Sequence, residues 1–312
     1  MPTDSQSSKT PPKFPEMPAY LVAPGEYFVE AFRDRMTDGE RRLRNSSVAF
    51  VGLARNCSGW LMQNLARLET LTESCGSWRL HIETNDNEDA TDQVLADFCS
   101  KHRQATFTSQ RLDRQQFSAE FAGRRTIALA EYRDSCQRWV RDNAADADYV
   151  IVIDFDAWGG WSHEGLLNGI GCLVERQGAY GMASVSLIQH PQMMMGEDKK
   201  PTLGVGWVHY DAWALRLNSY WDDYTAGHGG WKHQWLPPVG SPPVLVCSAF
   251  GGMAIYRTDA YLRGTYDGTT DCEHVSFHRS IAEATGQHLY LCPSMRTLMH
   301  WMANHGGQHG DD

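Results

Sequence analysis

The chain has 312 residues, 42% of them hydrophobic, and its 28 Lys and Arg against 38 Asp and Glu leave a net charge of −10. That length can bury a substantial core as one large domain or two tightly joined ones. The acidic balance argues against a general nucleic-acid binder, which replaces counterions with a basic surface.

None of the eight cysteines stands in a Cys-x-x-Cys pair, so neither a zinc ribbon nor a redox motif is visible, and they read as mostly buried thiols of a reducing compartment. No stretch approaches the roughly 20 apolar residues of a membrane span. The first seventeen residues lack the apolar segment of a signal peptide. The expectation is a soluble protein of the cytoplasm or the periphery of a membrane, or a chain without its targeting segment.

Residues 1–24, with Pro11, Pro12, Pro15, Pro18 and Pro24, predict a flexible arm. A short amphipathic piece over 27–36 follows. Residues 47–53 predict the first strand, which runs into Ala54, Arg55 and Asn56 and then a helix carrying Leu61, Leu65 and Leu68 at i, i+4 and i+7. A second strand over 78–83 leads into a polar loop over 84–89. The next helix carries Val94, Leu95 and Phe98, with Asp89 or Thr91 as its cap. Residues 117–143 are expected to be largely helical, and 149–154 form a third strand. Strand, helix, strand, helix, helix, strand predicts a parallel sheet with covering helices and right-handed crossovers.

After a turn over 157–161 the pattern predicts a helix over 164–176 and a strand over 180–188. The span 189–243, rich in Trp and broken by Gly and Pro, is expected to be irregular, and loops of that length are usually functional. Order returns over 244–256. A helix opens at 271–274 and runs to 285, followed by segments over 290–293 and up to 301, and the last residues from 304 are expected to fray.

The chemistry centres on Asp154 and Asp156. The apolar run before them suits a central strand buried on both faces. Both carboxylates leave it on the same side, where open α/β sheets bind ligands. Two hard oxygen ligands can hold Mg²⁺ or Mn²⁺, which in turn can hold a diphosphate. The alternative, Asp156 capping a turn and Asp154 meeting a backbone amide, stays open. The acceptor-rich loop 83–89 suits a ribose or base. Glu273 at a helix start suits a general base, or a first-turn carboxylate favoured by the helix dipole alone. His274 and His278 have zinc-chelating spacing, but Val275 stands where zinc proteases carry Glu.

Five motifs in order, Ala54-Arg-Asn56, Glu83-Thr-Asn-Asp-Asn-Glu-Asp89, Val152-Ile-Asp-Phe-Asp156, Phe250-Gly-Gly252 and Cys272-Glu-His-Val275, carry a family resemblance. Over residues 47–300 the chain resembles metal-dependent nucleotide-sugar glycosyltransferases of the GT-A fold. Within these it is most similar to the group around the fungal capsule-associated α-1,3-mannosyltransferases.

The resemblance implies an α/β, Rossmann-like mixed sheet, mostly parallel, with helices on both faces and an acceptor-side subregion. It implies one catalytic domain over 25–303, with a nucleotide-sugar half over 47–160, an acceptor half over 161–303 and a flexible tail over 304–312. Ala54, Arg55 and Asn56 would line base and ribose, and Glu83, Asn85 and Asp86 would complete that pocket. Arg125 or Arg133 would approach the diphosphate or sugar, since guanidinium suits phosphate oxygens.

On the same resemblance Asp154 and Asp156 would hold Mn²⁺ or Mg²⁺, Asp156 as the direct ligand and His300 as a third. Gly251 and Gly252 would let the backbone approach the sugar, with Glu273 on the acceptor side. The implied partners are a GDP- or UDP-sugar donor and a glycan or glycolipid acceptor, with no nucleic acid. Glu273 as base would invert the anomeric centre, whereas the resembled mannosyltransferases retain it, so both outcomes stay open. Two rivals remain. One is a haloacid-dehalogenase-type phosphatase, with Asp154 as nucleophile and Asp156 as acid/base; the other is a non-catalytic carbohydrate-binding protein on the same fold.

Overall fold

A computed structural model describes residues 17–114, 123–195, 199–217 and 230–300. The first half runs α1 (Ala19–Val22), α2 (Val29–Leu43), β1 (Ser47–Ala54), α3 (Ser58–Thr72), β2 (Ser77–Asn85), α4 (Thr91–Lys101), β3 (Ala105–Gln110), α5 (Arg124–Asn143) and β4 (Tyr149–Asp154). Then come β5 (Gly160–Trp161), α6 (His163–Glu175), β6 (Ala179–Met195), β7 (Pro201–His209), β8 (Arg216–Leu217), β9 (Val244–Ser248), β10 (Met253–Arg257), α7 (Thr258–Tyr261), α8 (Glu273–Thr285) and β11 (His288–His300).

These strands form one sheet in the order β3-β2-β1-β4-β10-β6-β11-β9-β8, with β5 on β11 and β7 on β6. β3, β2, β1, β4, β6 and β11 all run the same way, while β10 lies antiparallel between β4 and β6. The expected mixed and mostly parallel α/β sheet is therefore present.

Side-chain alternation builds a layer on each face. Val48 and Phe50 of β1 join Leu61, Leu65 and Leu68 of α3 and Leu166 and Ile170 of α6. Ala49 and Val51 join Ala130, Cys136 and Val140 of α5 and Val275, Phe277 and Ile281 of α8 on the other side. β4 must satisfy both layers, and no residue from Tyr149 to Ile153 exceeds 2% exposure. Burying each such side chain is worth about 1.5–3 kcal/mol.

Several elements differ from the sequence expectation. β3 was not foreseen because Ala105 is its only buried residue, so it has no apolar alternation and pairs on β2 alone at the sheet edge. Residues 189–195 and 201–209 are not irregular: β6 continues to Met195 and β7 returns in register from Met195↔Pro201 to Leu187↔His209. Glycines and prolines broke the pattern there, yet cross-strand pairing supplies the order.

Residues 244–256 divide into β9 and β10 around the turn 249–252, while the two segments after 290 merge into β11. α5 begins at Arg124, and the expected helical residues 117–122 lie outside the described ones. Of the expected arm, residues 1–16 also lie outside, as does the tail 304–312. Residues 19–22 form α1 instead, where the Tyr20 hydroxyl accepts from Trp207 Nε1 at 2.7 Å. All eight cysteines are free thiols, five of them buried as expected. Among the described residues no helix is long and apolar enough to cross a membrane.

α2 and α6 meet backbone to backbone. A Cβ on Gly39 would stand 1.8 Å from the Leu167 carbonyl oxygen, and one on Gly171 2.1 Å from that of Arg35. Gly39→Ala should therefore lower stability by about 1–3 kcal/mol through overpacking, although Ala is the better helix former by about 1 kcal/mol. Thermal unfolding checks this, and a raised melting temperature refutes the close approach.

Candidate active site

Because β1, β2 and β4 are parallel neighbours, their carboxyl ends open on one edge of the sheet, and the first half of α5 lies across them. They enclose a cavity of about 230 Å³ lined by Ala54, Arg55, Glu83, Asn85, Asp154 and Asp156 from the strand ends and by Arg125 and Arg133 from α5. Eight of the residues singled out in the sequence thus converge. Asn56, Asp86, Gly251, Gly252 and Glu273 do not line the cavity.

Arg133 is the electrostatic centre. Its Nη2 donates to Asp154 Oδ1 and its Nε to Glu273 Oε1, both at 3.0 Å, and it is 5% exposed. Phe250 lies against the guanidinium, 4.7 Å from ring centroid to Cζ, and His274 stacks on Phe250 at 3.8 Å. Burial opposes the Arg133 charge, but Asp154 and Glu273 outweigh it and hold its pKa well above the ordinary value.

Glu273 itself is 3% exposed, and its Oε2 accepts from Cys272 Sγ at 3.7 Å. It sits behind Arg133, out of the cavity. Asp156, by contrast, is exposed at the mouth. Desolvation within the cleft, reinforced by the Asp154 charge, nonetheless raises its carboxyl to about 7.

The residues that miss the cavity hold it in shape. Asn56, in the left-handed region at φ 48°, donates its amide to Asn87 Oδ1 and accepts from the Glu88 amide, both at 2.8 Å. Desolvation pushes Asp86 up, but Asn85 Nδ2 and the amides of Leu112, Arg114 and Asp113 prevail and hold it at about 2. It thereby ties the end of β2 to the segment after β3. Asp89, expected as a cap, bridges the Thr91 and Ser58 amides, both at 2.9 Å, so it joins α4 to α3.

Glu83 accepts from Ser135 Oγ at 2.6 Å and pairs with His81 Nε2 at 3.0 Å, which fixes it against α5. Gly251 and Gly252 have φ of +67° and +79°, and a Cβ on Gly251 would stand 2.2 Å from the Ser184 carbonyl oxygen. Only glycine suits that turn. Its Gly252 carbonyl accepts the Asp154 amide at 2.9 Å, so the turn positions the acid's backbone.

Several contributors escaped sequence reading. Asn64 Nδ2 donates to the carbonyls of Phe155 and Ala157 at 2.8 and 2.7 Å, and Trp60 Nε1 to that of Asp156 at 2.8 Å. α3 thus pegs the Asp-x-Asp turn. A polar residue beside Leu61, Leu65 and Leu68 was the available signal for Asn64. Asp211, after β7, accepts the Gly251 amide at 2.9 Å and the Ala214 amide at 3.3 Å. Burial lifts it to about 6 against those two bonds. It lies within the span expected to be irregular, where no periodicity marks it.

The carboxylate pair fits a divalent cation. Asp154 offers the oxygen not taken by Arg133, Asp156 faces the opening, and their mutual repulsion is what a cation relieves. Among the described residues no three His, Cys, Asp or Glu converge, so phosphate oxygens and water would complete the shell, as Mg²⁺ and Mn²⁺ commonly require. The His300 backbone ends β11 opposite Ile188, and its side chain lies outside the described residues.

No protein-family model matches the chain, and no curated protein matches it. Similar solved structures include a mannosyltransferase from Pyrobaculum calidifontis in complex with GDP-Man and Mn²⁺. It is 11% identical, with 87% of this chain and 66% of that one covered and a TM-score of 0.46. GalNAc-T7 with UDP, GalNAc and Mn²⁺ is 10% identical, with coverages of 95% and 57% and a TM-score of 0.46. Mannosyl-3-phosphoglycerate synthase from Rubrobacter xylanophilus is 14% identical, with coverages of 88% and 74% and a TM-score of 0.45. This chain thus spans less than two thirds of the length of the first two. With TM-scores below 0.5, the functional reading rests on the chain's own residues.

A cation must displace the Asp156 proton. With that carboxyl raised to about 7, the apparent Mn²⁺ affinity should climb as pH rises from 5 to about 7 and then level off. Calorimetric titration across pH reads this, and a flat profile refutes Asp156 as a ligand.

Proposed function

We propose that the chain is a metal-dependent glycosyltransferase of GT-A type, moving a sugar from a nucleotide-diphosphate sugar to a hydroxyl of a glycan or glycolipid. The observation that carries this reading is a cavity at the carboxyl ends of parallel strands that sets two acids, Asp154 and Asp156, beside two guanidinium groups, Arg125 and Arg133. Such a site suits a diphosphate better than a neutral ligand. The motif order supports hexosyl, and within that mannosyl, transfer. Residues 47–160 serve the donor and 161–303 the acceptor.

In this reading Ala54, Arg55, Glu83 and Asn85 hold the base and ribose, with Asn56 and Asp86 shaping their loops. Arg125 meets the diphosphate at the open end of α5. Mn²⁺ or Mg²⁺ on Asp154 and Asp156, and on His300 if its side chain reaches them, supplies charge neutralisation for the departing nucleotide diphosphate. Arg133 adds a fixed positive charge at the same edge without reorganising. Gly251 and Gly252, outside the cavity, shape the turn that positions the Asp154 backbone.

A general base must reach the acceptor hydroxyl. Glu273 is buried behind Arg133, so the geometry favours it as the residue that orients Arg133.

Melting temperatures with UDP, GDP and CMP, each with and without Mn²⁺, test the reading. At least one nucleoside diphosphate should stabilise the protein only with the metal. Asp156→Ala should abolish that response and remain folded; an undiminished response sinks the metal assignment. Glu273→Gln preserves an acceptor for Arg133 Nε and should keep most of the transfer rate, whereas Glu273→Leu should lose about 100-fold. If both variants lose transfer equally while still binding donor, Glu273 is the base after all.

A further inference from the structure

Beyond the body of the sheet, β6 and β7 continue as a two-stranded ribbon. β11 ends opposite Ile188 of β6, and among the described residues no strand pairs with the outer edge of β7. The pairs Pro191↔Val205, Met193↔Leu203 and Met195↔Pro201 follow one another in unbroken register. Residues directly opposite share a face, as do residues two apart along a strand. These six side chains therefore form one apolar face. It continues the row of Val185 and Leu187, which is buried in the layer of α5 and α8.

Past Leu187 that cover is lost. Met193 is 66%, Met195 70%, Leu203 75% and Val205 50% exposed. At the base of the ribbon Trp207 reaches Tyr20 of α1, and Tyr20 is itself 69% exposed. A two-stranded ribbon is marginally stable in water unless its apolar face is packed against something.

Charge decides what packs there. Neither β6 nor β7 contains a single Asp, Glu, Lys or Arg, although 21% of the chain is charged. Exposed edge strands are ordinarily guarded by such charges, Lys above all. Between the strands, the charges of Glu197, Asp198, Lys199 and Lys200 cancel. The face thus lacks the basic rim that draws an apolar surface to anionic lipid, and a net charge of −10 opposes that approach as well. A second copy, by contrast, meets no like charge at the contact. A two-fold axis sets the same patch of each chain against the other.

The area suffices. The four side chains expose roughly 500 Å², at the upper end of what one monomer carries in a single patch. Two such faces together bury about 1,000 Å², the size at which a specific interface begins. The two prolines and Tyr20 add to that.

We infer that the chain forms a two-fold dimer in which the ribbons pack apolar face to apolar face. Met193, Met195, Leu203 and Val205 of one copy meet the same four residues of the other. The contact is separate from the cleft and independent of the glycosyltransferase reading.

Sedimentation equilibrium of the full chain over about 1–200 μM tests this, since an interface of that size supports roughly micromolar affinity. The weight-average mass should rise with concentration from 35.1 kDa toward twice that value. Leu203→Glu should weaken association about 100-fold, because the new charge meets its own copy in a desolvated contact. Thr202→Glu, on the opposite face of the same strand, should leave association within about threefold of wild type.

A wild type that stays monomeric throughout overturns the inference, and this measurement stands even where a variant does not fold. If that monomer floats with vesicles of phosphatidylcholine and phosphatidylserine, the face belongs to a bilayer instead. Undiminished association of Leu203→Glu also overturns the inference. So does an equal loss in Thr202→Glu, which would assign the contact to the strand edge or to general repulsion.

Discussion

One guanidinium held between two carboxylates is the constraint on which the cleft depends. Arg133 leaves water almost completely, at 5% exposure, and an ion in that position costs several kcal/mol unless its partners come with it. Asp154 and Glu273 are those partners, each at 3.0 Å. The three side chains come from α5, the end of β4 and the start of α8, so one ion-pair set ties a central strand to two helices of the same layer. Removing one partner from such a set is commonly worth about 3–5 kcal/mol. The same set leaves an excess of negative charge once Asp156 is counted, and that excess makes a divalent cation a natural complement.

The second constraint is backbone geometry around Asp154. Its amide donates to the Gly252 carbonyl, and the Gly251 amide goes to Asp211. Ser184 Oγ and Thr297 Oγ1 donate to the Gly251 carbonyl. On the other face Asn64 takes the carbonyls of Phe155 and Ala157. Elements from the whole sheet therefore converge on a few peptide groups. A buried peptide group without such a partner would cost about 1–3 kcal/mol, so the carboxylates are held by a framework rather than by a free loop.

Much of the site was legible before any coordinates. A strand buried on both faces must be apolar throughout, so the run before Asp154 announced a central position and placed both acids at its carboxyl end. Arg55, Glu83, Asn85, Arg125 and Arg133 were recognisable by residue type and order, and all line the cavity. Asn56, Asp86 and the two glycines shape the site from outside the cavity, a distinction that motif order does not contain. Glu273 at a helix start looks the same in sequence whether it faces an acceptor or backs an arginine. Asp211 was invisible because its partner, the Gly251 amide, is 40 residues away.

The sequence by itself determined the alternation of strands and helices, the two-faced burial of β4, and the position of two acids at its carboxyl end, because these follow from local periodicity and residue chemistry. Tertiary structure alone decided that β3 is a strand, that 187–195 and 201–209 pair as antiparallel strands, that β10 enters antiparallel beside β4, and that Glu273 lies beneath Arg133. Each of these rests on hydrogen bonds or ion pairs between residues distant in the chain. Such contacts take their energy from burial and from partners that no local pattern specifies.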